Sequence, residues 1–189
     1  MFAAASVPPS HSRYNGSVPF MLRDFESADF ETLWRIDQVC FPRGISYSRA
    51  ELKFYIGRPR AFTLVAVETA LSAMATPDSV RSSKNSLSMP STNSAVFGFI
   101  VAEAHRESGH IITIDVLAAA RRSGAGSLLL SGAEDRLRSA QCRLVELETA
   151  VDNVSALSFY KRHGYSVIKT FPRYYSNGVD ALVLEKNLG

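Results

Sequence analysis

The stretch Arg121-Arg122-Ser123-Gly124-Ala125-Gly126-Ser127 joins an apolar, β-branched run to an amphipathic one. Small residues there let a ligand approach the backbone closely. The first N–H groups of the following helix have no partner within it, and the helix dipole adds positive potential. Such a turn suits a phosphate or pyrophosphate, and Arg121 and Arg122 add formal charge beside it. The phosphate loop that ends in Gly-Lys-Ser/Thr is excluded, because Gly126 is followed directly by Ser127. A dinucleotide fingerprint lacks its third glycine, that position being Leu129. What remains is R-x-x-G-x-G, and a plain strand-to-helix turn with solvent-facing arginines accounts for that short motif equally well.

A second group of residues can move protons. A strand over 143–149 puts Leu144, Glu146 and Glu148 on one face by its period of two. Carboxylates on a central strand are costly unless they reach solvent or a partner. Near a cleft such a glutamate, Glu146 or Glu148, suits a general base; at the open end of the strand it is simply solvated. Tyr160 falls two turns into the next helix, where a phenol can donate a proton; packing beside Phe159 is its alternative role. Asn153 is placed to cap that helix. His163 precedes Gly164 and complements the helix dipole. Asp115 is an odd charge in an apolar strand, either facing a bound ligand or held by solvent or backbone.

The elements that would position these groups follow from periodicity. Phe20–Phe25 reads as a strand, followed by a helix from about Ser27 with Phe30, Leu33, Ile36 and Cys40 at helical spacing. Phe41-Pro42 ends it. Ser48 and Glu51 form a capping-box pattern that opens a second helix, closed by Gly57 and Pro59. Strands are expected over 62–68, 95–103 and 110–117, with Ser108-Gly109 as the turn between the last two. The glycine turn opens a helix carrying Leu129, Leu130, Ala133 and Leu137. Strand 143–149, helix 153–163, strand 165–171, a loop over 172–179 and strand 180–186 complete the chain. The order is βααβββαβαββ, an α/β fold with a mixed sheet and helices on its faces.

Residues 1–18 lack periodicity and read as a flexible N-terminal arm, leaving 19–189 as a single domain. Residues 71–94 are dense in serine, with Pro77 and Pro90, and read as a surface insertion lengthening a hairpin turn. The 189 residues carry a net charge of +3 without a Lys/Arg block, which argues against nucleic acid as partner. No apolar run reaches the ~20 residues needed to span a membrane. Two distant cysteines, Cys40 and Cys142, read as buried thiols in a reducing, cytoplasmic setting. The histidines show no metal-ligand spacing, so no metal is expected.

Ile112–Leu117, R-x-x-G-x-G and Leu128-Leu129-Leu130 together resemble the acetyl-coenzyme A motif of the GNAT acyltransferase superfamily. Leu147–Tyr165 resembles its second signature, of the form LEV-x₃-N-x₂-A-x₂-(L/F)Y-x₃-GF. Arg173–Ala181 is similar to the YY…DA segment of RimI-type enzymes, which acetylate the N-terminal amine of a ribosomal protein. Phe41-Pro42 with Tyr47 is similar to a loop of N-terminal acetyltransferases. The resemblance covers residues 20–187 apart from the serine-rich stretch. It departs at Ala118-Ala119-Ala120, where the family often has Pro and a bulky residue.

The resemblance implies a mostly antiparallel central sheet and transfer of an acetyl group from acetyl-coenzyme A to a primary amine without a metal. It implies that Arg121, Arg122, Ser123, Gly124, Ala125, Gly126 and Ser127 hold the pyrophosphate and that Val116 and Leu117 pair with the pantetheine arm. Asn153 then contacts the coenzyme, Glu148 is the base and Tyr160 the acid, with His110 a second candidate base. Phe41, Pro42, Tyr47, Tyr174 and Tyr175 would line an acceptor groove. A protein N-terminus is the expected acceptor; a small-molecule amine, or a non-catalytic coenzyme A-binding module, are the alternatives.

Overall fold

The computed structural model describes residues 20–69 and 95–189; the expected N-terminal arm and the 71–94 insertion lie outside the described residues. The elements are β1 (Phe20–Asp24), α1 (Phe30–Cys40), α2 (Arg49–Ile56), β2 (Ala61–Glu68), β3 (Val96–His105) and β4 (Ser108–Val116). They continue with α3 (Ala125–Ser139), β5 (Leu144–Ala150), α4 (Val154–Arg162), β6 (Ser166–Phe171) and β7 (Ala181–Asn187). Their order matches the expected βααβββαβαββ.

Local chemistry sets the boundaries. Phe41 turns extended and Pro42 follows, so α1 stops there. In α2 both halves of the capping box form: Glu51 N–H donates to Ser48 Oγ at 3.3 Å, and Ser48 N–H donates to Glu51 at 2.8 Å. Asn153 Oδ1 accepts from Ala156 N–H at 3.2 Å and caps α4.

The seven strands lie in the order β1-β2-β3-β4-β5-β7-β6. Every neighbouring pair is antiparallel except β4 and β5, which are parallel. Strands β2 and β3, on either side of the serine-rich stretch, are antiparallel partners. The sheet divides the core in two. On one face Leu129, Leu130, Ala133 and Leu137 of α3 and Tyr160 of α4 pack on Ile100, Val145 and Leu147. On the other, Leu33 and Ile36 of α1 and Leu52 of α2 pack on Val65, Phe99 and Val101.

Ser108-Gly109 is not the turn. Arg106 and Glu107 make it, with Arg106 at φ 54°, and Gly109 lies inside β4. A Cβ on Gly109 would stand 2.6 Å from a Leu137 methyl, so the missing side chain serves the close approach of α3.

Two irregularities in β4 shape the centre of the sheet. The register slips by one residue between Val101↔Thr113 and Ala102↔Ile111, a bulge at Ile112. Pairing with β5 runs from Ser108↔Leu144 only to Ile111↔Leu147, although both strands continue. Beyond that point β4 and β5 part, and the wedge between them leads to the glycine turn.

Candidate active site

On β5 the alternation sends Val145 and Leu147 into the α3 core and Glu148 to the opposite face. There Glu148 Oε2 sits 2.7 Å from His110 Nε2 of β4, just below the parting of the strands. The Glu148 side chain is about one-fifth exposed, at 19%, so it is reachable from the wedge. Behind the imidazole lies Glu103, only 4% exposed and ion-paired with Arg58 at 3.1 Å. Burial pulls the His110 pKa down most strongly. The Glu148 hydrogen bond and the charges of Glu148, Glu103 and Glu146 outweigh it, and the pKa is raised. Sequence reading proposed the two residues as rival bases; the structure joins them into one dyad.

Tyr160 is buried on the opposite side of the wedge, with ring contacts to Phe159 and Tyr165. Burial raises its pKa most, and the charge of Asp115 and the nearby Tyr175 add to this, so the phenol keeps its proton. Asp115 is 1% exposed, accepts from the Thr113 hydroxyl at 3.1 Å, and lies near enough to Asp37 of α1 for that charge to raise its pKa. It presents no open carboxylate to a substrate, which removes that role.

Four tyrosines cluster beside the dyad, and two of them, Tyr174 and Tyr175, lie close enough to Glu148 to feel its charge. Tyr47 stacks obliquely on Tyr55 at 5.2 Å, and Tyr174 meets Tyr175 edge-on at 5.1 Å. Burial raises the Tyr174 and Tyr175 pKa values, the second to about 12, and Glu148 contributes to both. The loop carrying Tyr174 and Tyr175 is latched to the Phe41–Tyr47 loop by Ser176 Oγ donating to Gly44 O at 2.9 Å. Tyr55 and Gly44 were not singled out from the sequence, since contacts between distant loops leave no local pattern. Phe41 and Pro42 stand at the start of the first loop, where Ile45 and Ser46 N–H both donate to Pro42 O.

At the far end of the wedge, Gly124 adopts φ 96° and starts α3. The first intrahelical bond joins Leu128 N–H to Gly124 O, which leaves the amides of Ala125, Gly126 and Ser127 free of intrahelical partners. Arg122 is left-handed at φ 61°, and Ser123 Oγ donates to Ala120 O at 2.6 Å. Arg121 does not point outward from the turn: its Nε donates to Val116 O at 2.9 Å. Val116 packs on the α3 side of the sheet and Leu117 on the α1 side. His163 stays at the C-terminal end of α4, its Nδ1 2.9 Å from Phe159 O, and its other nitrogen reaches across to α3, Nε2 standing 3.0 Å from Ser127 Oγ.

The acetyltransferase (GNAT) family model matches residues 30–165, and the chain belongs to that family. An uncharacterised N-acetyltransferase of Methanocaldococcus jannaschii is 38% identical over 92 residues, 48% of this chain and 59% of that protein. N-alpha-acetyltransferase 30 of Schizosaccharomyces pombe is 36% identical over 73 residues, 39% of this chain and 49% of that protein. The chain thus spans about half the length of these curated relatives. The ribosomal-protein-S18-alanine N-acetyltransferase of Escherichia coli superposes with a TM-score of 0.69 over 90% of this chain and 94% of its own. At 16% identity that likeness establishes the fold alone.

Proposed function

We propose that the protein transfers the acetyl group of acetyl-coenzyme A to the N-terminal α-amine of a protein or peptide. The observation that carries this reading is the 2.7 Å Glu148–His110 dyad where β4 and β5 part, with Tyr174 and Tyr175 beside it. The free amides of Ala125, Gly126 and Ser127 would hold the pyrophosphate, and the unpaired edge of β4 at Val116 would meet the pantetheine arm. A Cβ at Gly126 would meet Phe159 and Val116 at ordinary contact distances, so it is the free amide of this residue, not its missing side chain, that serves the reading. Arg121, on Val116 O, would have to swing away. Asn153 and Leu117 frame the same channel. The bound thioester supplies an activated acetyl group.

Glu148, with His110 behind it, accepts the proton of the incoming ammonium. The freed amine forms the new C–N bond as the C–S bond breaks, and Tyr160 gives its proton to the departing sulfur. A phenol whose pKa is raised by burial is suited to donate and not to rest as an anion. Phe41, Pro42, Tyr47, Tyr174 and Tyr175 would line the acceptor entrance. Because Ser176 and Gly44 bind the two loops together across it, an extended chain end enters more readily than a side chain in mid-chain. The RimI-like acceptor class and the cytoplasmic setting belong to this reading.

The test is a panel of hexapeptides differing in their first two residues, an Ala-first peptide included, with spermidine and Nα-acetyl-lysine alongside. Coenzyme A release is the readout. Preference for free α-amines supports the reading. Turnover of spermidine alone would transfer it to small amines.

A further inference from the structure

Beneath the acceptor loop lies a pair of acids that the proposed chemistry does not use. Asp37 of α1 is fully buried. Its Oδ2 accepts from Tyr47 N–H and from Gln38 Nε2, each at 2.9 Å. Tyr47 O is held in turn by Gln38 Nε2 at 2.8 Å and Trp34 Nε1 at 3.2 Å, and the Tyr47 hydroxyl donates to Ile112 O, at the bulge of β4, at 3.3 Å. Tyr47 is therefore tied at its amide, its carbonyl and its ring tip. Near this arrangement on β4 is Asp115, also buried. Among the described residues Asp37 Oδ1 and Asp115 Oδ1 have no hydrogen-bond partner.

Helix α1 and the loop after it pack on this part of β4, Cys40 Sγ standing 3.4 Å from Val116 O and the Tyr47 hydroxyl 3.3 Å from Ile112 O, so two buried carboxyl oxygens without partners are neighbours that lack the same thing. A buried acceptor left unsatisfied is costly, and two neighbouring carboxylates cannot both ionise there cheaply. One proton on Asp115, donated to Asp37 Oδ1 directly or through a water, satisfies both. The electrostatics agree. Burial chiefly raises both pKa values, Asp37 to about 6 and Asp115 well above the usual carboxylate range, with Asp37 adding to the second. Glu51 and Tyr47 also bear on these acids, as do Cys40, Arg121 and Tyr160 around Asp115.

We propose that Asp37 and Asp115 share one proton and thereby lock the Phe41–Tyr47 loop onto β4, making Asp37 a positioning residue for the acceptor amine. This rests on reading that loop as an acceptor wall. The pair joins α1, the loop and the bulged strand at one buried point, and the acceptor meets neither acid.

The chain has one tryptophan, Trp34, and it touches the anchored carbonyl, so its emission reports the lock without any ligand. In the wild-type protein, emission should shift as pH falls through about 6, where Asp37 takes up a proton. Asp37→Asn should abolish that shift while keeping the fold, since its amide oxygen still accepts from Tyr47 N–H. With the fastest peptide of the panel, Asp37→Ala should raise the peptide KM about tenfold or more and leave the acetyl-coenzyme A KM within about twofold. Asp37→Asn should recover most of that loss. Asp115→Asn, whose side-chain NH₂ replaces the shared proton, should leave both constants near wild type, whereas Asp115→Leu should behave like Asp37→Ala. An emission profile unchanged by Asp37→Asn, or a peptide KM unmoved by Asp37→Ala or Asp115→Leu, overturns the proposal. Equal rises in both KM values also overturn it, since they mark a general loss of structure. Phe41→Ala separates the two failures: if it too leaves the peptide KM unchanged, the acceptor-wall reading has failed, and the emission result then decides the lock alone.

Discussion

The two ends of the wedge between β4 and β5 are built from different materials. The glycine-turn end is backbone: a left-handed Gly124, free amides at the start of α3, and a strand edge. The acceptor end is side chain: Glu148 on His110, Asp37 on Tyr47, and Ser176 on Gly44. These contacts bridge separations of 38, 10 and 132 residues. A backbone site needs small residues at fixed spacing and tolerates almost any neighbours. A side-chain site needs particular atoms and shows no spacing rule. Substitutions should therefore divide cleanly, with shape changes damaging the first end and loss of single polar atoms damaging the second.

The largest effect belongs to the acceptor end. Glu148→Gln preserves size but removes the proton acceptor, so kcat/KM should fall by about 10²–10⁴-fold, with partial recovery at high pH as the amine loses its own proton. Tyr160→Phe should lose a similar factor without such recovery, because its defect lies at the leaving sulfur. Both variants should bind acetyl-coenzyme A normally in calorimetry. Wild-type turnover by Glu148→Gln would move the base to His110 and leave the loop lock untouched.

The next effect belongs to the glycine-turn end. A β-branched residue at Gly124 must adopt φ near 96°, a strain of roughly 1–3 kcal/mol, and its Cβ occupies the approach to the amides. Gly124→Val should weaken acetyl-coenzyme A by about tenfold or more in calorimetry while leaving the peptide KM little changed. Equal affinity would show that the turn is only a turn.

This division also explains what the sequence disclosed. The element order, the capping box at Ser48, the R-x-x-G-x-G turn and the Asn153 cap were all legible, because each depends on residues within a few positions of one another. The pairing of His110 with Glu148 was not, since parallel strands bring distant residues together without a local trace. Asp37 gave no signal at all: one acid in an amphipathic helix reads as surface until its burial is known. Gly109 misled for a related reason. Glycine after serine suggests a turn, and only the packing of Leu137 shows that it makes room for a helix.

A smaller effect would blur the comparison. His163 is a side chain that reaches the backbone-built end, with Nε2 on Ser127 Oγ and its ring 4.4 Å from that of Phe159. One neutral hydrogen bond is worth about 0.5–1.5 kcal/mol. His163→Ala should thus raise the acetyl-coenzyme A KM by only about two- to tenfold and leave kcat near wild type. A loss as large as that of Gly124→Val would mean that α4, not the turn, holds the coenzyme.

The smallest effect tests the dyad through stability. His110 has a pKa raised in the folded protein, because the hydrogen bond to Glu148 and the charges of Glu148, Glu103 and Glu146 outweigh its burial. Below its unfolded value, about 6.5, both states carry the proton and the folded state keeps the full benefit of the cation beside those acids. As pH rises through the raised folded value, the unfolded state is already neutral and the folded state must release its proton, so the benefit is lost. His110→Gln should therefore cost most near pH 6 and least near pH 9. The imidazole is 35% exposed, so solvent screens the interaction and the difference in melting temperature should be modest, about two degrees. A wild-type advantage that grows from pH 6 to pH 9 would show that His110 is held neutral, and Glu148 would then act as an unassisted carboxylate.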